Sequence, residues 1–509
     1  MQNLIDSTFL KPVESFWIAT TPSTDYPSLQ ENIKTDILIV GGGITGLTNA
    51  YMLQKEGFDV VVIDSFRIAM STSGHTTAKI TSLHDLKYTT LKKKIGSDGA
   101  KKYGEINQNA ISLIENIISE NKINCDFSHQ ANYVYTQDDL YIEKLENEVA
   151  TARELGLPAE FATNLDLPYE VKGSVRFDRQ AQFHPRKYLL ALADIFVKNG
   201  GHIFENTTAI DIHEDRECRT STRDGFSIIS SKVIIASHFP FYDGGGFFST
   251  RMFAERSYAL AVIADIKLSG GMYISYEEPT RSVRTQPLED GGQILILGGE
   301  HHKTGEDENE REHYKNLIKW ADDTFHAFEI PYRWSTQDYT AMNEIPIIGH
   351  LTSRKLNIFI AAAYQKWGMT TSTVSAMIIK DILTKGKSEA EDIFSPSKFA
   401  PISSAKNFIK ENADVAESLI EGKLMKLPED ISLDPGKGKA LMFNGKRAGA
   451  YKDMDGNLYI VDTTCKHLGC EVHWNSAENT WDCPCHASRY NYDGTVIDGP
   501  ALKPLDRLF

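Results

Sequence analysis

The sequence predicts a chain in three parts: an α/β domain on a parallel sheet, a second domain on an antiparallel sheet interleaved with it, and a small all-β domain at the C-terminal end. Three observations carry this. A strand, a glycine-rich loop and a helix follow one another directly over residues 36–57, the opening of a βαβ unit. Alternating apolar runs such as Tyr258-Ala-Leu-Ala-Val-Ile263 and Gln293-Ile-Leu-Ile-Leu297 recur in the middle, as half-buried strands require. Four of the six cysteines crowd between positions 465 and 485, among strand-and-turn segments. At ~100–200 residues per domain, 509 residues hold two to four such units.

Composition narrows the function. With 41% apolar and 24% charged residues, the chain is neither disordered nor collagen-like, nor a disulfide scaffold. Its 54 Lys and Arg against 69 Asp and Glu leave a net charge of −15, which repels phosphate backbones and anionic lipid, so no nucleic acid is expected as a partner. No run of 18 apolar residues occurs, and Met1–Trp17 lacks a basic start followed by an apolar stretch. No integral membrane segment and a cytoplasmic location are therefore expected.

Cys125 and Cys218 stand alone and read as small hydrophobes. The other four form two boxes, Cys465-Lys-His467-Leu-Gly-Cys470 and Cys483-Pro-Cys485-His486-Ala-Ser488. Each pairs a cysteine with a histidine. Two loops of this kind suit one zinc as Cys₂His₂ or two irons held asymmetrically. The boxes resemble those of the Rieske family, C-T-H-x-G-C and C-P-C-H-x-S, with Lys466 in the threonine place. The resemblance implies a [2Fe-2S] cluster with Cys465 and Cys483 on one iron and His467 and His486 on the other, and a disulfide between Cys470 and Cys485. Ser488 and Tyr490 match the family's hydroxyl donors to the cluster sulfurs, and Gly499-Pro500-Ala501 resembles its proline loop. Such donors stabilise the reduced cluster, so the upper part of a range of roughly −150 to +300 mV is expected.

At the other end, the apolar strand Asp36-Ile-Leu-Ile-Val40 runs into Gly41-Gly42-Gly43-Ile44-Thr45-Gly46, then a helical pattern to Gly57. A second strand, Val60–Ile63, ends at Asp64 and Ser65. Gly41 permits the tight turn, Gly43 a close approach to pyrophosphate, and Gly46 close helix–sheet packing; the helix N-terminus faces phosphate and Asp64 accepts from a ribose hydroxyl. The fingerprint alone leaves NAD and FAD open. It occurs once, and Gly244–Gly246 precedes no helix and reads as a surface turn. Ser73-Gly-His-Thr-Thr-Ala-Lys-Ile-Thr81 resembles the flavin-contacting segment of the D-amino-acid-oxidase-like FAD-dependent oxidoreductases, and Phe183-His-Pro185 their F-H-P turn. Val233–Ser237 is similar to their adenosine strand, and Phe359–Thr370 to their strand, glycine turn and helix under the ring, with Ala362-Ala363 where members often have T-G. The resemblance implies FAD held by Gly41, Gly43, Ile44, Thr45, Gly46, Asp64, Ser65, Thr76, Thr77, Ala236, Trp367, Gly368 and Met369.

The expected organisation is a Rossmann-like FAD-binding domain from residues 1–110, 170–240 and 335–385, a substrate domain from 111–169 and 241–334, a linker and docking helix over 386–430, and an all-β Rieske domain over 431–509. The helix is expected to dock through Phe408, Ile409, Ala413, Ala416, Leu419 and Ile420. The last domain is close to neutral, so the acidity belongs to the flavin part.

A flavin accepts a hydride as an electron pair, whereas a Rieske cluster passes single electrons. Joined, they imply a dehydrogenase whose substrate, an amine or amino acid by family resemblance, reduces FAD, with electrons leaving through the cluster to an external one-electron acceptor. The cluster's histidines are expected at an exposed edge. His75, His301, His302 and Lys366 are candidates to face the flavin, and Arg281 and Arg284 to clamp a substrate carboxylate, against a salt-bridge role for either. No catalytic residue is assigned. Alternatives are a reductase running from cluster to flavin and a non-enzymatic redox sensor. A ring-hydroxylating oxygenase is excluded because no His-x₄-His pair exists for a mononuclear iron.

Overall fold

A computed structural model of the chain describes residues 1–307, 309–398 and 405–509, apart from the side chains of 405–411. The glycine loop leaves the strand Ile33–Val40, which is the centre of an eight-stranded sheet. Val60–Ile63 and then His202–Phe204 lie parallel on one side of it, Ser227–Ile235 and then Lys355–Ala362 parallel on the other. Their apolar residues are buried on both faces, as a parallel sheet covered by helices demands. The helices Ile44–Lys55 and Gly368–Lys385 pack together against it.

The second sheet has nine strands and is almost wholly antiparallel. Ala327–Ala341, Met252–Ala264, Gln293–Lys303 and Arg281–Pro287 form one run; Met272–Ser275 joins it to Ser128–Thr136 through one parallel pairing. Two of its strands, Lys79–Ile80 and Gly173–Gln182, were expected in the nucleotide half. They belong here because Gly173–Gln182 pairs antiparallel with Ser128–Thr136 over most of its length. The two sheets thus exchange chain at residue 80 and again near 183, and their ends close on a shared space.

The C-terminal part has a three-stranded sheet, Lys437–Phe443, Lys446–Lys452 and Leu458–Asp462, and a four-stranded one from His473–Asn475 to Val496–Asp498; both are antiparallel. The stretch after 385, expected as a linker, is anchored in its described part: the helix Glu391–Phe394 buries Phe394, which stacks on Tyr103 at 5.6 Å. Residues 399–401 of that stretch lie outside the described residues. The helix Ala405–Leu424 docks as expected, through the expected Leu419 but with its face rotated. Val415 and Leu419 pack on the C-terminal core, while Ala413, Ala416 and Ile420 are exposed; the Phe408 and Ile409 side chains lie outside the described residues. The polar neighbours decide this rotation: Asp414 pairs with Lys303 at 3.1 Å and Asn412 donates to the Thr250 carbonyl at 3.2 Å. Among the described residues no helix is long and apolar enough to cross a membrane.

Candidate functional site

Between the two sheets lies a cavity of about 1430 Å³, larger than the roughly 300–1,000 Å³ of a drug-sized ligand site. Gly41, Gly43, Ile44, Thr45, Asp64, Ser65, Thr76, Thr77, Ala236, Trp367, Gly368 and Met369 all line it. Gly46 does not; it sits beneath the loop, where an added Cβ would lie 1.8 Å from the Gly41 carbonyl oxygen. A Cβ on Gly41, whose φ is +114°, would meet the Ala236 carbonyl oxygen at 2.4 Å. Both glycines are thus required by backbone crossings, and the loop is a cradle that a side chain would fill.

Asp64 closes the cradle. Its Oδ2 accepts from the Gly42 N–H at 2.7 Å and its Oδ1 from Phe66 at 2.8 Å. Burial pushes its carboxyl up to about 6. Each oxygen keeps a lone pair, so a ribose hydroxyl fits the remaining capacity. Ser73 accepts from the Ile44 N–H at 2.9 Å, tying the loop to the segment that carries Thr76 and Thr77. That segment hangs from two buried tryptophans: Trp17 Nε1 donates to the Thr76 carbonyl at 2.6 Å and Trp334 Nε1 to that of His75 at 2.7 Å. Opposite, the helix Gly368–Lys385 starts at Trp367 without a side-chain cap, leaving its first N–H groups toward the cavity. The preceding turn holds Ala363, Gln365 and Lys366 at φ of +60°, +55° and +71°. Ala363 therefore takes the left-handed conformation that glycine adopts without a Cβ penalty.

The candidates from sequence separate here. His75, His301 and Lys366 line the cavity. His302 points to the other side of its sheet, where it lies 3.0 Å from the Tyr258 hydroxyl and stacks on His313 at 4.5 Å. Arg281 pairs with Glu300 and does not line the cavity. Arg284 is fully buried, gives its protons to the Ala78 and Phe183 carbonyls and lies 5.1 Å over Trp17, so neither arginine faces a substrate.

Sequence reasoning missed Lys79. It lines the cavity, is buried, and contacts the hydroxyls of Thr77 at 3.1 Å and Ser282 at 3.3 Å, with no carboxylate in salt-bridge range among the described residues. Burial, reinforced by Arg284, pushes its ammonium down to about 7. No signal in the sequence singled it out, because the two-residue strand Lys79–Ile80 exists only through its pairing in the folded sheet.

The second centre is built on the loops around 465–470 and 483–488. Cys470 and Cys485 are joined, with Cα atoms 6.5 Å apart. Cys465 and Cys483 are free and buried. The Cys483 thiol donates to Cys465, which brings Cys465 down to about 6 and Cys483 up. Tyr490 places its hydroxyl 3.3 Å from the Cys465 sulfur while accepting from the Lys466 N–H at 3.0 Å, so its one proton is directed at sulfur. Ser488 accepts from the Ala501 N–H of the proline loop at 3.0 Å, leaving its own proton for the same sulfur.

His467 and His486 lie with ring centroids 4.9 Å apart, and burial lowers both to about 4. Their Nδ1 atoms are buried without a hydrogen-bond partner among the described residues. Two neutral imidazoles with orphaned nitrogens, on the same two loops as two free thiols, are a donor set for an asymmetric two-iron cluster.

The expected exposed histidine edge is corrected by the structure: His486 is 9% exposed, and His467 packs its ring against Phe239 at 6.2 Å. The edge is turned onto the flavin part, because a buried ion network holds it there. Arg256 of the antiparallel sheet reaches Glu478 at 3.3 Å and Asp482 at 3.6 Å, and Arg489 bonds the same two acids at 2.6 and 3.2 Å. Burial alone would raise Glu478, but Arg489 and Arg256 overcome it and hold Glu478 at about 2. The proline-loop stretch 495–502 completes the docking by walling the cavity itself.

Over residues 36–382 the sequence matches the FAD dependent oxidoreductase family, and over 424–508 the Rieske [2Fe-2S] domain. The chain belongs to the FAD-dependent oxidoreductases. It carries a Rieske domain besides, and its cofactors are FAD and a [2Fe-2S] cluster. It is 42% identical over 498 residues to YhfW of Bacillus subtilis, named as a Rieske 2Fe-2S iron-sulfur protein, covering 97% of both chains. It is 24% identical over 398 residues to the gamma-glutamylputrescine oxidoreductase of Escherichia coli, covering 72% of this chain and 88% of the relative. Among solved structures, glycine oxidase from Geobacillus kaustophilus superposes with a TM-score of 0.62 at 16% identity, covering 72% of this chain and 99% of that one. That last likeness is one of fold.

Proposed function

We propose that this flavin oxidoreductase dehydrogenates a small amine or amino acid and passes the electrons, one at a time, through its Rieske cluster to an external acceptor. The carrying observation is that one cavity is lined by the glycine cradle, by Trp367–Met369 and by residues 495–502 of the Rieske domain. When bound, FAD takes up a hydride as an electron pair and the cluster conducts single electrons.

This chain's residues prepare that chemistry. Lys79 Nζ, held near neutrality in its affinity for protons, can take the ammonium proton of an entering amine. Thr77 and Ser282 orient it. Across the cavity Lys366 lies 3.9 Å from Glu255, and His301 lies 3.4 Å from Glu278, supplying charges of both signs for a polar substrate. The hydroxyls of Tyr490 and Ser488 at the Cys465 sulfur favour the reduced cluster, which supports flow from flavin to cluster. The buried Arg256 network speaks against a sensor whose domains part on reduction.

The test is an anaerobic titration of the holoprotein with amines, amino acids and NAD(P)H, following flavin absorbance and then the EPR of frozen samples. An amine that bleaches the flavin, followed by a reduced-cluster signal, is the expected result. Bleaching by NAD(P)H alone would overturn the substrate class. A flavin that responds only to dithionite would favour the sensor.

A further inference from the structure

We propose that Tyr339, with the His238 and Phe239 rings packed against it, is the contact through which electrons cross between the flavin cavity and the histidine edge of the cluster. This rests on the proposed function and deepens it. No motif marks Tyr339. It stands on the strand Ala327–Ala341, is 2% exposed, and lines the cavity.

Its hydroxyl lies 3.3 Å from the His486 carbonyl and 3.4 Å from that of Gly499, sharing one proton between the second ligand loop and the proline loop. Gln337 Nε2 donates to the same hydroxyl at 3.2 Å and to the Ala487 carbonyl at 3.0 Å. One tyrosine therefore pins the loop that presents a cluster ligand to the wall of the flavin cavity.

Its ring continues the contact. The His238 ring meets it edge-on at 4.8 Å and the Phe239 ring at 5.1 Å, and Phe239 reaches the His467 ring at 6.2 Å. Both histidine ligands are thus reached from one side chain, His486 through the backbone and His467 through Phe239. His238 Nδ1 lies 3.3 Å from the Thr72 hydroxyl, one residue before the flavin-contacting segment. His238, Phe239 and Tyr339 all line the cavity as well, so the contact runs without a gap from its wall to the ligand rings. Packing alone would need no polar tie from Tyr339 to two separate loops of the other domain. Each transfer takes one electron from the reduced flavin and turns one ferric iron ferrous, with no bond made or broken.

The test uses the holoprotein under anaerobic conditions. The flavin is photoreduced in a flash with EDTA as the sacrificial electron donor, and flavin absorbance and freeze-quenched cluster EPR are followed in time. Tyr339→Leu and Phe239→Leu are expected to slow equilibration about tenfold or more, with FAD content, iron content and cluster g-values unchanged. Tyr339→Phe keeps the ring and is expected to stay within about threefold of wild type. Its lost clamp should instead appear as faster amide hydrogen exchange over residues 486–500. Should Tyr339→Leu fail to fold, Phe239→Leu decides alone, since among the described residues Phe239 makes no hydrogen bond to the Rieske loops. Wild-type rates in the leucine variants with cofactors intact would overturn the bridge while leaving the proposed function standing. A wild-type protein in which reduced flavin and cluster never equilibrate would remove the proposed function, and the bridge with it.

Discussion

The cysteine–histidine centre takes its four candidate ligands from two loops within residues 465–486, whereas the cavity beside it is walled by segments scattered from Val40 to Pro504. The first centre is local: a hairpin sheet and one disulfide hold it, and its donors are neighbours in sequence. The second exists only when two sheets that exchange strands have both formed. A local site should be lost through a single ligand, while a distributed one should be lost through the crossings that bring its segments together.

The sharpest way to break this contrast is a reciprocal pair of variants. His467→Ala is expected to abolish the low-temperature EPR signal of the cluster and leave bound FAD untouched. Gly46→Ala is expected to remove FAD, because its Cβ would fall 1.8 Å from the Gly41 carbonyl, and to leave the cluster. Flavin absorbance and EPR on both proteins check this, and joint loss in either would show that the two sites do not assemble independently.

Next in size is the seam between the two regions. Arg256→Ala leaves Glu478 and Asp482 buried with only Arg489 to neutralise them, and removing one partner of such a network costs about 3–5 kcal/mol. Denaturant unfolding should show the loss. Because Glu478 is held at about 2, below its unfolded value, its contribution is complete above pH ~4.5 and lost as pH falls toward 2. A stability profile over that window should flatten in Glu478→Gln.

Lys79→Met tests the cavity side, and its sign is opposite. A lysine lowered to about 7 binds protons less readily folded than unfolded, so the wild type should gain stability as pH rises from 7 toward 10. Lys79→Met should remove that slope and raise stability near pH 6 by about 2 kcal/mol, the ionisation penalty less two hydroxyl contacts. Substrate-driven flavin reduction should fall in the same variant. The smallest effect belongs to the cluster's hydroxyls. Tyr490→Phe and Ser488→Ala should each lower its potential by about 65 mV, as a hydrogen bond to charge of about 1.5 kcal/mol implies for one electron. Redox titration by EPR reads this directly.

Much of both sites was legible, for different reasons. The glycine cradle announces itself because a strand, a tight turn and a helix must be adjacent in sequence to exist at all. The two Cys–His boxes announce themselves because each half of the donor set sits on one short loop. Lys79, Tyr339 and the Arg256 network were not legible. Lys79 acquires meaning only from the carboxylates it lacks, and Tyr339 only from carbonyls 147 and 160 residues away. The docking helix shows the same limit: of the side its apolar spacing pointed to, Leu419 packs inward as expected, yet the ties to Lys303 and Thr250 turn Val415 inward beside it and leave Ala413, Ala416 and Ile420 exposed.

The sequence by itself determined that the chain has a dinucleotide cradle and a Cys–His metal centre, since pyrophosphate and metal ligation demand residue types at fixed short spacings; family resemblance narrowed these to FAD and a [2Fe-2S] cluster. The tertiary structure alone decided that the edge formed by His467 and His486 is turned onto the flavin part. That orientation is set by ion pairs and hydrogen bonds between residues hundreds of positions apart, whose energies depend on burial, and burial is a property of the packed chain.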